Sequence, residues 1–378
     1  MSLTSAALTG EPIPLIDLGR QSPAVRAEID DAIARVTGSR QFIMGPEVTA
    51  FEEEVAQYLN VPHAVSVASG TDALLLALRA LDLPAGQHVI VPAFTFFATA
   101  GAVWNAGLVP VFCDVDPDTF CVTAETVEAA WTRETVAVIP VHMFGLMAPM
   151  NDLEELAVDR GLLLLEDAAQ AFGAHGPSGW AGGCGDACAH SFFPTKNLGA
   201  FGDGGMVTTS RPDVADRVAK LRLHGGRKMY HHEMVGTNSR LDALQAAVLR
   251  EKLPHVDDWT RERQAIAVRY GERLAELDEL TLPQIPDQHR HVFNQFTVRT
   301  TQRDGLRSAL REHGIGTGVY YPVPLHLQDC FAELGGSEGD LPGAERLCER
   351  VLSLPMFPGL RDSEVDRVTD VIWKFFKR

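Results

Sequence analysis

"HAVSVASGTDALLLALRAL", residues 63–81, reads as a strand, a turn and a helix within nineteen positions. "HAVSV" is rich in the small and β-branched apolar residues of a strand, and "DALLLALRAL" in strong helix formers. Ser69, Gly70 and Thr71 fill the turn between them. The same alternation continues to about Ser210. "HVIV" (88–91) precedes "FFATAGAVW" (96–104), and "VPVFCDV" (109–115), "VAVIPV" (136–141), "LLLLED" (162–167) and "ACAHSFF" (187–193) follow. Strands that are apolar throughout and separated by helical lengths predict a mostly parallel sheet covered on both faces. In such a sheet a ligand lies at the carboxyl ends of the strands.

Outward from this block, the first dozen residues are small, polar and proline-containing, and read as a loose arm. "PAVRAEIDDAIARV" (23–36) sets Val25, Ile29, Ile33 and Val36 at helical spacing, and "EVTAFEEEVAQYL" (47–59) does so with Val48, Phe51, Val55 and Leu59. After the block, "RLDALQAAVLREKL" (240–253) carries Leu241, Leu244 and Val248 on one stripe. Pro254 and Trp259 then mark a boundary. "HVFNQFTVRT" (291–300), "RDGLRSALREHGI" (303–315), "GVYYPVPLH" (318–326) and a last helix ending "VIWKFFKR" (371–378) suggest a smaller α+β domain. The expected division is an arm over 1–22, a large domain over 23–254 and a small C-terminal domain over 255–378.

Composition narrows the function classes. Of 378 residues, 46% are hydrophobic and 22% charged, ordinary values for a globular chain. A net charge of −17 opposes nucleic acid or an anionic membrane as partner, yet a few local N–H groups can still hold a small anion. The six cysteines are dispersed, which fits a reducing compartment, and Cys184 and Cys188 lack the second pair that a zinc site needs. No signal peptide or membrane span is visible, so a cytoplasmic protein without a metal is expected. His224, His231 and His232 lack a carboxylate or cysteine at ligand spacing and read as a loop over the site.

Four groups bear chemistry. Ser69, Gly70 and Thr71 form either a phosphate cup at a helix start or a plain N-cap. Glu166 and Asp167 end an apolar strand, either solvated at its rim or paired with a buried cation such as a protonated ring nitrogen, with Gln170 nearby. Among Phe94, Phe96 and Phe97, one ring could stack on a planar cofactor while the others are core. Lys196, in "AHSFFPTKNLGAFGDGG" (189–205), is either a solvated loop lysine or one aimed into a site. Pyridoxal 5′-phosphate joins a phosphate, a pyridine ring and an aldehyde that needs an amine, and so calls for all four groups at once.

These motifs, in this order, resemble the DegT/StrS-type family of nucleotide-sugar aminotransferases. The resemblance runs from about Ile13 to about Leu360 on "SGTDAL", "TFFATA", "IPVHMFG", "EDAAQAFGA", "SFFPTKNLGAFGDGG", "VGTNSRLDALQAAVL", "YYPVPLH" and "VLSLPMFP". It implies a fold type I PLP-dependent transferase, with a mostly parallel seven-stranded sheet in the large domain. It makes Lys196 the lysine that bonds to the cofactor aldehyde, Asp167 the partner of the ring nitrogen and Phe96 the stacking ring. Ser69, Gly70, Thr71 and Ser191 match phosphate contacts, and Gln170 the residue beside the ring hydroxyl. Asn238 matches a residue given by a neighbouring subunit, which implies a homodimer with shared active sites.

Arg240 matches a carboxylate grip, and Tyr321 and His326 face the expected substrate, though His326 could equally satisfy a loop carbonyl. The implied reaction moves an amino group from L-glutamate, leaving 2-oxoglutarate, to a keto sugar carried on a nucleotide diphosphate, in cell-surface polysaccharide or natural-product synthesis. "KMYHHEMVGTNSRLD" (228–242) resembles enzymes that aminate C3 rather than C4. Gln87 and His88 replace a common acidic pair, and Tyr320 stands where histidine is frequent. The alternatives are a cyclitol ketone aminotransferase using glutamine, a PLP-dependent sugar dehydratase, in which histidine replaces the lysine, and a non-catalytic PLP-binding regulator. A Rossmann dehydrogenase ranks last, since "GAFGDGG" follows the lysine instead of joining a first strand to its helix.

Overall fold

The computed structural model describes residues 11–20 and 23–377, so most of the expected arm lies outside the described residues. The sheet has seven strands: β1 (His63–Val67), β2 (His88–Pro92), β3 (Val109–Cys113), β4 (Thr135–Val138), β5 (Leu163–Asp167), β6 (Ala187–Ser191) and β7 (Gly205–Thr209). Their order across the sheet is β1-β7-β6-β5-β4-β2-β3. β7 runs antiparallel to both its neighbours, and the other pairs are parallel. Six strands coincide with the apolar runs of the sequence. β7, "GMVTT", has only two strongly apolar residues and was not among them.

Alternation along each strand sends successive side chains to opposite faces. Ile90, Val138, Leu164 and Cys188 enter one core, while Val89, Val91, Ala137 and Leu165 enter the other. All are buried, which is why these strands read as continuous apolar runs. The helices Pro46–Leu59 and Ala243–Lys252 close a third core with Phe192 and Met206 of the β6–β7 region. Val48, Phe51, Val55 and Leu59 are all buried, as their spacing predicts. Among the described residues no helix is long and apolar enough to cross a membrane.

The chain does not loosen at Pro254. The helix Ala243–Lys252 passes through one 3-10 turn, Leu253–His255, into the helix Val256–Leu274, and Trp259 lies inside the latter. Beyond it, β8 (Phe296–Arg299) and β9 (Val351–Leu354) pair antiparallel. Together with the helices Arg303–Glu312 and Asp362–Phe376 they bury Tyr270, Val298, Leu310 and Ile372 in a separate core. Ile13 joins this core through a bridge to Ile315.

Candidate active site

β5 delivers two adjacent carboxylates to its carboxyl end, one to each face. Glu166 is wholly buried and accepts from His142 Nε2 (2.9 Å) and the N–H groups of Gly182 (2.9 Å), Cys184 (2.9 Å) and Gly185 (2.8 Å). Burial pushes its carboxyl upward, but His142 and these amides outweigh that and hold it below the usual range. The His142 Nδ1 accepts from Ala148 N (3.1 Å), so the ring proton sits on Nε2 and is given to Glu166. Four donors fill the acceptor capacity of a carboxylate. Glu166 therefore fastens the 181–185 loop and has nothing left for a ligand.

Asp167 differs. It is 5% exposed, and among the described residues its carboxylate accepts only from Thr99 Oγ1 (2.8 Å, to Oδ2) and Ala169 N (3.1 Å, to Oδ1). Burial raises its carboxyl, which the bonds from Thr99 and Ala169 and the field of Lys196 only partly offset. Among the described residues no cation forms an ion pair with it. Two neutral donors leave half its lone-pair positions for one further, charged donor.

Lys196 stands in the turn after β6, which is closed by bonds from Lys196 N to Phe193 O (2.9 Å) and from Ala200 N to Phe192 O (2.8 Å). The next residue anchors it: Asn197 Nδ2 donates to Val292 O (2.9 Å) and Asn197 Oδ1 accepts from Asn294 Nδ2 (2.8 Å). The Lys196 ammonium has no hydrogen bond or ion pair among the described residues. Burial lowers it to about 8, against the field of Asp167, which pulls the other way. An amine near 8 is partly neutral at physiological pH and can act as a nucleophile. By solvent exposure the residue is half-buried.

At the other end, Ser69 caps the helix Gly70–Ala80, its Oγ accepting from Asp72 N (3.1 Å). The N-cap alternative is therefore realised, and the remaining N–H groups of that first turn stay available. Gly70 and Gly205 bring the walls together: a Cβ on Gly70 would lie 2.6 Å from Ser191 Cβ, and one on Gly205 2.3 Å from the Ser69 carbonyl oxygen. Ser69, Gly70 and Ser191 converge here, with Thr71 exposed on the same turn. Ser239 Oγ donates to Asp72 Oδ2 (2.6 Å) and accepts from Ala68 N (3.2 Å). Its neighbours Asn238, exposed, and Arg240, half-buried, have side chains without a partner among the described residues.

Phe94 is fully buried against Phe120 and Phe144, whereas Phe96 and Phe97 are both exposed, at 57% and 48%, so Phe97 is not core; its ring is stacked on Phe331 at 5.7 Å. The Tyr321 ring lies 6.1 Å from that of Phe96. Gln170 Oε1 accepts from Phe144 N (2.8 Å) and its Nε2 donates to Tyr321 Oη (2.9 Å). Asp167, Lys196, Gln170, Tyr321 and Phe96 thus gather around one group of strand ends. His326 is buried with Nε2 3.1 Å from Oε1 of Glu345, a residue of the helix Pro342–Arg350 that also accepts from Gly339 N and Leu341 N, so that edge of its ring is already engaged.

Residues 23–373 match the family described as the DegT/DnrJ/EryC1/StrS aminotransferase family. The chain belongs to it. A relative in Acidithiobacillus ferrooxidans, named UDP-N-acetyl-3-dehydro-alpha-D-glucosamine 3-aminotransferase, is 46% identical over 95% of this chain and 97% of its own length. One in Geobacillus stearothermophilus, named pleiotropic regulatory protein, is 44% identical over 97% of this chain and 99% of its own. The solved structure of Streptomyces venezuelae DesV in complex with a ketimine intermediate superposes with a TM-score of 0.95 at 45% identity, over 98% of this chain and 100% of that one.

The DegT/DnrJ/EryC1/StrS proteins are PLP-dependent aminotransferases, and the fold type I architecture expected from the sequence is the one found. The donor set fits that cofactor: Asp167 has room for a ring N–H⁺, Lys196 is a lysine lowered by burial, and a helix start with Ser191 beside it suits a phosphate. Sequence reasoning missed Thr99, His142, Asn197 and Ser239. All four lie inside quoted motifs, but only the folded chain shows what they touch.

Proposed function

We propose that this chain transfers an amino group from L-glutamate to the C3 keto group of a nucleotide-diphosphate-linked sugar. The observation that carries the reading is the pair at the centre: a buried carboxylate with only two neutral donors, facing a lysine lowered to about 8. The name of the Acidithiobacillus ferrooxidans relative supports the sugar and the carbon. The presence of lysine at 196 speaks against the dehydratase alternative, and the set Lys196, Asp167 and Arg240 speaks for turnover over a purely regulatory role.

When bound, the cofactor supplies an aldehyde that carries the amino group and a ring that draws electrons from the reacting carbon. The protein does the rest. Asp167 holds the ring cation, while Ser69, Gly70, Thr71 and Ser191 hold the phosphate. Phe96 covers one ring face and Gln170 orients its hydroxyl side. Lys196 Nζ, when neutral, would take the α-proton of the donor amino acid and, once protonated, would give it to the carbon that was the cofactor's aldehyde. Arg240, whose planar fork has no partner among the described residues, suits the donor carboxylate, and Tyr321 and His326 line the sugar side. Residues 23–254 act as the cofactor unit and 255–378 as the unit that brings Tyr321.

The working form is a cytoplasmic homodimer in which Asn238 reaches the phosphate held by the other copy. The exposed Phe42, Ile43, Met229, Tyr230 and Val235 support a subunit contact. The test is an assay of the cofactor-loaded protein with L-glutamate and a panel of UDP- and dTDP-linked 3-keto and 4-keto sugars, with sedimentation of the same sample. Amino sugar formed from a 3-keto substrate with one 2-oxoglutarate each, lost in Lys196→Ala, is the expected result. Turnover of 4-keto sugars alone would move the reaction to C4, and an active monomer would remove the shared site.

A further inference from the structure

Thr99 and Thr95 lie on a part of the fold remote in sequence from Asp167 yet end on it. Thr95 follows β2, Thr99 is the second residue of the helix Ala98–Asn105, and β2 is two strands away from β5 in the sheet. Both hydroxyls are buried, at 2% and 0% residue exposure. Thr99 Oγ1 is 2.8 Å from Asp167 Oδ2, and Thr95 Oγ1 is 3.1 Å from Thr99 Oγ1.

The direction of this chain follows from proton bookkeeping. An ionised carboxylate only accepts, so the single hydroxyl proton of Thr99 goes to Asp167. Thr99 can then only accept from Thr95, which fixes Thr95 as the donor. The main chain of Asp167 is held separately, by Asp167 N to Pro140 O (2.9 Å) and His142 N to Asp167 O (3.0 Å). Those bonds set the residue's place but not the rotation of its carboxylate. Thr99 on Oδ2 and Ala169 N on Oδ1 occupy one acceptor position on each oxygen and leave one free on each.

We propose that Thr99 is a positioning residue that keeps Asp167 anionic and aims its free acceptor positions, with Thr95 orienting the Thr99 hydroxyl. The inference rests on the reading of Asp167 as the partner of the cofactor ring nitrogen. It adds to that reading the residue through which the helix after β2 controls the carboxylate. The charged or titratable groups coupled to Asp167 through their fields are Lys196 from the turn after β6, His142 from the loop after β4, Tyr321, and Cys188 on the opposite face of β6. None of them donates a hydrogen bond to the carboxylate. Loss of the Thr99 donor therefore leaves Ala169 N as the one remaining bond to it among the described residues.

The test compares cofactor dissociation constants, from absorbance titration with pyridoxal 5′-phosphate, for the unaltered chain, Thr99→Val, Thr99→Ser and Asp167→Asn across pH. A hydrogen bond to a charged group commonly changes an equilibrium about tenfold or more, so Thr99→Val is expected to weaken retention by that factor at neutral pH. Thr99→Ser, which restores the hydroxyl, should stay within about threefold of the unaltered chain. A carboxylate that loses a donor ionises at higher pH, so the low-pH limit of cofactor retention should move upward in Thr99→Val and not in Thr99→Ser. If Thr99→Val does not fold, Thr99→Ala takes its place in the same comparison.

Equal retention in Thr99→Val and the unaltered chain, with Asp167→Asn impaired, overturns the role of Thr99 alone. So does a serine variant as weak as the valine one, which would assign the effect to methyl packing. Unimpaired binding and an unchanged pH limit in Asp167→Asn would instead overturn the reading of Asp167 itself.

Discussion

Glu166 and Asp167 are neighbours with the same functional group, and the fold gives them opposite tasks. Glu166 is saturated by His142 and three amides, and Asp167 keeps acceptor capacity. Sequence placed both at the end of an apolar strand but could not say which faced a ligand, because all the donors except Ala169 N come from residues 16 to 68 positions away in the chain. Lys196 offers a test that needs no cofactor. Its folded-state value near 8 lies below the ordinary 10.5, so between those pH values the unfolded chain binds more protons and stability rises with pH. Lys196→Met should therefore raise the Tm of the cofactor-free chain at pH 7, and its advantage should shrink as pH climbs from about 8 toward 10.5. Lys252, also lowered to about 8, is present in both proteins and cancels in the comparison. An advantage independent of pH would mean that Lys196 is not desolvated.

At the scale of elements, the six apolar strands and the amphipathic helices were legible because burial on two faces, or on one stripe, leaves a periodic mark. β7 was not, since Gly205 and two threonines break its apolar run, and it is specified by its neighbours β1 and β6 instead. Its first residue is also the tightest point of the helix-start site. A Cβ at 205 would press on the Ser69 carbonyl at 2.3 Å, so Gly205→Ala must shift β7 away from the N-cap. The expected cost is about 1–3 kcal/mol of stability, in the range of overpacked sites, with weaker cofactor retention at the same time. Chemical denaturation and cofactor titration measure both, and a variant unaltered in retention would show that the Ser69–Gly205 contact does not shape the cup. The helix after Pro254 teaches the converse lesson: proline at 254 is accommodated in the one 3-10 turn and does not end the helical run.

The whole molecule assembles these parts from two cores on either side of one sheet, the core under the helices Pro46–Leu59 and Ala243–Lys252, and a separate C-terminal core, and Tyr321 packs against the first of these beside Gln170. Strand-end chemistry was readable from motifs, because the carboxyl ends of parallel strands collect loops that are distant in sequence. The contact between Gln170 and Tyr321 was not, since 151 residues separate them and only the packing of the C-terminal unit joins them. The acidic surface, at a net −17, agrees with a chain whose anionic ligands are held by local groups and not by its overall field. The most direct measurement is the visible absorption spectrum of the purified, cofactor-loaded protein before and after addition of L-glutamate. A yellow band that gives way to the pyridoxamine band, and does not form in Lys196→Ala, is the expected result. A band that never forms in the unaltered chain, or that persists unchanged in Lys196→Ala, would contradict the assignment of Lys196.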